Sequence, residues 1–92
     1  MNPTNLLTKF AAEIIGTLVF LTIILKATDK YAVVAGLLAA ILFMGNVTGG
    51  HFNPAVSLMG LIQGNLTIVD FLVFIVAQFL GAVGATQLVK IL

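Results

Sequence analysis

Three apolar stretches, residues 7–25, 31–47 and 68–91, each approach the roughly 20 residues that a helix needs to cross a bilayer. That property removes most of the folds open to a chain of 92 residues. Hydrophobic residues make up 61% of it and charged residues 8%, more apolar surface than a small water-soluble domain can hide. The chain is therefore read as an all-α, multi-pass membrane protein, a single domain over residues 1–92 whose solvent is lipid. A net charge of +1 gives no footing for nucleic acid. With no cysteine there is no disulfide, thiolate metal site or thiol nucleophile. One histidine argues against a metal site within one chain, and no cofactor is expected. The first apolar stretch carries Glu13 and lacks a small-x-small cleavage site before its charged turn, so it is read as a retained helix rather than a signal peptide.

The second and third spans are separated by Thr48-Gly49-Gly50-His51-Phe52-Asn53-Pro54-Ala55-Val56-Ser57. Asn53 is a good N-cap, and Pro54 suits the first helical position, where its missing N–H is not needed. The helix predicted behind them ends near Ile62, before Gly64-Asn65, and covers only ~12–14 Å, about half of a hydrocarbon core. Gly49-Gly50 gives the backbone freedom for a non-helical approach. Irregular backbone at membrane depth is tolerated where it is buried in protein or lines a wet cavity. The pattern predicts three transmembrane helices and one re-entrant half-helix, whose positive end points at the membrane middle.

Residues Asn2 to Asn5 are placed to cap the first helix, and Lys26 to Lys30 form the charged turn after it. Small residues recur at i, i+4: Ala12 and Gly16, Ala35 and Ala39, Gly36 and Ala40, then Ala77, Gly81 and Ala85. Such stripes let helices approach closely inside lipid. Three spans put Lys9 on one side and Lys26, Lys30 and Lys90 on the other. A bias of two lysines does not fix one orientation.

Asn53 is the leading candidate for chemistry. If its side-chain oxygen caps the half-helix, its amide NH2 points away as a donor to a passing solute. Glu13 and Gln78 are polar groups inside apolar spans, expensive unless paired. Each is expected to brace the irregular loop, Gln78 by a bond to loop backbone. His51 is expected to be fixed by a hydrogen bond within the loop rather than to titrate as a gate. Asp70 is expected to cap the last helix or to complement its positive end. No nucleophile–base arrangement and no phosphate loop is present, so the chain is not read as an enzyme.

Three segments resemble the N-terminal half of an aquaporin or aquaglyceroporin of the major intrinsic protein family. Ala11-Ala12-Glu13-Ile14-Ile15-Gly16-Thr17 is similar to that family's first-helix signature. The run from Gly45 through Asn53-Pro54-Ala55 to Leu58 is similar to its first pore loop, and Ala77-Gln78-Phe79-Leu80-Gly81-Ala82 to its third helix. The resemblance implies half of an aquaporin fold, in which two inverted halves bring two Asn-Pro-Ala loops together at the midplane. It implies passive conduction of water or small neutral solutes such as glycerol and urea. Both asparagines would then donate, and the backbone carbonyls of Gly49, Gly50, His51 and Phe52 would accept. Glu13 and Gln78 become loop braces.

The chain carries one such triplet and no arginine. Where the family's second loop has an arginine after its triplet, this sequence has Val56, as is usual for a first-half loop. Val33 stands at the position resembling the family's aromatic or histidine filter residue. Any filter is then apolar and uncharged, and one pore needs a second, inverted copy of the chain. A non-conducting membrane packing or junction module, and an excised fragment of a full-length channel, are the alternative readings.

Overall fold

Capping chemistry sets where each helix begins. The structure, a computed structural model, describes residues 5–92. Four helices follow in order: α1 (Leu6–Lys26), α2 (Lys30–Thr48), α3 (Pro54–Ile62) and α4 (Ile68–Val89). Asn5 caps α1 by accepting from the Thr8 N–H at 2.7 Å, while Asn2, Pro3 and Thr4 lie outside the described residues. Asp29 caps α2 through the Ala32 N–H at 2.9 Å. Thr67, not Asp70, caps α4, accepting from the Asp70 N–H at 3.0 Å. Asp70 stands in the first turn of α4, as expected of a group complementing its positive end, and also pairs with Lys9 at 3.2 Å. At the other end of α4, Lys90 and Ile91 bond to carbonyls three residues back, so the helix closes two residues earlier than its apolar pattern suggests. The turn after α3 is closed by the Asn65 N–H on Gly60 O at 2.8 Å, with Gly64 at φ +81°.

α1, α2 and α4 are long and apolar enough to cross a membrane, at 21, 19 and 22 residues, whereas α3 has 9. The expectation of three spans and a half-span is therefore met. α1 sits centrally, packed on α2 on one flank and on α4 on the other, while α3 packs on α4. Outward-facing Leu42, Phe43 and Val83 are exposed, as suits side chains solvated by lipid.

The small-residue stripes mark the helix crossings. A Cβ on Gly81 would stand 2.7 Å from Thr17 Cβ and 3.0 Å from Ile14 O, so α1 and α4 meet at a distance only glycine permits. Gly36 meets Ile23 in the same way, 2.6 Å from its Cγ2. Ala12, Ala77 and Ala85 are buried beside these contacts. On α2 only the Gly36–Ala40 pair is buried; Ala35 is exposed and Ala39 half-buried. One stripe of α2 thus packs against α1, and its neighbour turns outward.

Candidate functional site

Between α2 and α3 the chain turns back toward the interior of the bundle. Gly49 ends α2 at φ +90° with its N–H on Gly45 O at 2.7 Å, and Gly50 continues at φ +74°. Glycine adopts such angles freely. Phe52 follows at φ +51°, an uncommon conformation for a bulky residue, costing on the order of 1–3 kcal/mol. Two contacts hold it there. Its N–H donates to Glu13 Oε1 at 3.0 Å, and its ring is buried over Gly16, where any Cβ would overlap the ring atoms.

Glu13 is fully buried in α1 and accepts from three elements. Thr48 at the end of α2 donates its hydroxyl at 2.5 Å, Phe52 its N–H, and Gln78 of α4 its side-chain amide at 3.0 Å. Every hydrogen bond in this set is one that the side-chain oxygens of Glu13 accept. Gln78 Nε2 also donates to Ser57 Oγ at 2.8 Å, on the first turns of α3. Gln78 therefore reaches the loop through the side chains of Glu13 and Ser57, not through loop backbone as its sequence position suggested. His51 Nδ1 lies 3.0 Å from the same Ser57 Oγ, and its ring packs edge-on against Phe74, centroids 5.0 Å apart. Its hydrogen bond runs to the half-helix rather than within the loop.

The network points its polar atoms inward and leaves Asn53 facing out. Asn53 Oδ1 accepts from the Ala55 N–H at 2.8 Å, and its backbone carbonyl accepts from the Ser57 N–H at 3.1 Å. With the oxygen committed, the amide NH2 of this exposed residue is directed away from the helix. None of the carbonyls of Gly49, Gly50, His51 and Phe52 accepts a hydrogen bond from the described residues, so four acceptors in succession stay free. Asn53 and Pro54 also form the edge of a cavity of about 450 Å³ between α1 and α4, on the far side of the α3 N-terminus.

The structure does not bring Val33 and Val56 together within one chain. Both are half-buried, neither lines the cavity, and α2 and α3 do not pack on one another. Ala55 is exposed on the first turn of α3. Thr48 and Ser57 are the participants that sequence reasoning passed over. The available signal was position: each is a hydroxyl flanking the loop in otherwise apolar surroundings, and Ser57 lies one turn beyond Asn53.

These features define a class: a polytopic membrane protein with a half-spanning helix whose N-terminus is anchored in the bundle interior. The family model for major intrinsic protein matches residues 29–92. The chain is 38% identical over 92 residues to glycerol uptake facilitator protein-like 6 of Lactiplantibacillus plantarum, covering 89% of this chain and 42% of that protein. It is 31% identical over 108 residues to aquaglyceroporin AqpS of Rhizobium meliloti, covering 100% of this chain and 46% of the relative. To aquaporin TIP1-2 of Zea mays it is 39% identical over 99 residues, covering 87% and 39%. The chain thus spans less than half the length of these relatives. No solved structure matches it. The chain belongs to the major intrinsic protein family, a family of water and glycerol channels rather than enzymes, and it is an integral, multi-pass membrane protein.

Proposed function

We propose that the protein is a passive channel for water and small uncharged solutes, with the pore formed between two copies inserted in opposite orientations. The observation that carries this reading is Asn53, whose oxygen is held by the α3 cap while its amide NH2 is free at the helix end. A solute arriving there meets a neutral donor, and the open carbonyls from Gly49 to Phe52 supply acceptors leading to it. Glu13 and Gln78 act as positioning residues that hold the loop, and with it Asn53, in place. The second triplet comes from the inverted partner, since a pore with a two-fold axis in the membrane plane needs one inverted half.

Ion exclusion follows from the same parts. The two α3 N-termini, each equivalent to roughly +0.5 charge, oppose cations at the midplane. At each mouth Val33 of one copy and Val56 of the other bound the passage with the bare backbone at Gly50, so desolvation in an apolar constriction completes the barrier. Osmotic shock of reconstituted vesicles tests the reading. The protein should speed shrinkage with a low activation energy, and Asn53→Asp should lower the gain severalfold. Vesicles that respond no faster than protein-free controls would leave a non-conducting packing module as the better account.

A further inference from the structure

The two ends of the bundle differ in charge. α1 and α2 form a hairpin in which Gly36 meets Ile23. α4 runs parallel to α1, with Asp70 beside Lys9, Gly81 against Thr17 and Gly84 against Leu18. Lys26 at the end of α1, Lys30 at the start of α2 and Lys90 at the C-cap of α4 therefore gather at one end, which meets one face of the membrane. All three are exposed. Lys9–Asp70, at the opposite end, is the one ion pair among the described residues. That end is neutral, while the lysine end sets three ammonium groups against one carboxylate, Asp29, whose Oδ1 already caps α2. Lys90 reaches only the neutral side chain of Gln87, at 3.4 Å. The pairing of Lys9 thus leaves all of the unanswered positive charge on one side. Tyr31 stands beside it, 75% exposed, with Lys30 Nζ 5.6 Å from its ring centroid. A tyrosine so placed offers its ring to the acyl boundary and its hydroxyl to the headgroups, and holds a neighbouring ammonium at headgroup level.

We infer that this end is a docking surface for anionic phospholipid headgroups, whose phosphates meet the ammonium groups of Lys26, Lys30 and Lys90 beside Tyr31. A zwitterionic lipid carries its own cation next to the phosphate and gains little there. An anionic lipid supplies the counter-charge that the described residues lack, and three like charges at the end of one narrow bundle repel less once it does. The opposite end, with Lys9 and Asp70 paired, has no such preference. The surface stands apart from the pore reading. In an inverted pair each leaflet receives one such face, and a single orientation presents it to one leaflet.

Tyr31 is the only tyrosine and the chain has no tryptophan, so its fluorescence reports from this end alone. The protein is reconstituted at low salt in phosphatidylcholine vesicles holding a minor share of brominated lipid, either phosphatidylglycerol or phosphatidylcholine. Brominated phosphatidylglycerol should quench Tyr31 about two- to fivefold more strongly, lipid for lipid. Lys26→Gln, Lys30→Gln and Lys90→Gln combined should bring the ratio close to one. Salt of about 1 M should do the same to the unmodified protein, where no folding defect can intervene. Lys9→Gln with Asp70→Asn, at the other end, should leave the ratio unchanged. Equal quenching by the two lipids, a preference that survives the triple variant, or one lost with the Lys9–Asp70 change would each overturn the surface. Inorganic phosphate that abolishes the preference where chloride of equal ionic strength does not would reassign the lysines to a free anion and refute the lipid.

Discussion

The two ends of the α1–α4 groove are built from the same pair of helices, yet one is closed and the other open. At the closed end Thr48, Phe52 and Gln78 donate to Glu13, Gln78 also donates to Ser57, His51 is bonded to the same Ser57, and α3 is seated on α4. At the open end the wall is apolar, the space is about 450 Å³, and Thr17 Oγ1 and Gln78 Oε1 have no partner. Gln78 sits at the boundary: its nitrogen donates to Glu13 and Ser57 at the closed end, and its side chain also lines the cavity. The difference separates two tasks. Within one chain the N–H groups of Gly49, Gly50 and Phe52 and the Asn53 cap all find partners, which shapes the loop and orients Asn53. Completing a passage in front of Asn53 would fall to the second copy proposed above.

The largest effect should come from breaking the closed end. Glu13→Ala would strand the Phe52 N–H, the Thr48 hydroxyl and one Gln78 N–H away from water, at about 1–3 kcal/mol for each buried group left without a partner. Thermal unfolding in detergent should fall steeply, and Phe52 should relax out of its left-handed conformation. A midpoint within a few degrees of the unmodified protein would show that the loop is held by something other than Glu13.

A smaller effect is expected where the contact is steric. Gly16→Val places side-chain atoms where the Phe52 ring lies, an overpacking worth about 1–3 kcal/mol. Ala82→Phe, at the open end, adds more volume but enters vacant space, so the single chain should keep its unfolding midpoint. Equal losses from the two substitutions would erase the distinction between the ends.

The sequence was most informative where chemistry is local. The spans follow from hydropathy and length, and the start of α3 from Asn53-Pro54, because a cap and a fixed φ act within a few residues. Glu13 and Gln78 stand out as polar residues inside apolar helices. Their partners do not, because the bond from Gln78 to Ser57 depends on how α4 is rotated against α1. That rotation is set by the close meeting of Gly81 with Thr17, a tertiary fact. The positive φ of Phe52 was also hidden. Local preference argues against it for an aromatic residue, and only the notch over Gly16 and the carboxylate of Glu13 make it hold. The cavity is a property of two helices and the gap between them, so no stretch of sequence records it.

The central claim is that an open end and a closed end in one chain become a pore when two chains meet inverted. Sidedness tests it most directly. Ala27→Cys places a single thiol at the C-cap of α1, in a protein with no other cysteine. In sealed, inside-out and right-side-out membranes, an impermeant maleimide should label part of the population from each side, in fractions that sum to the whole. Labelling complete from one side and absent from the other would contradict an inverted pair.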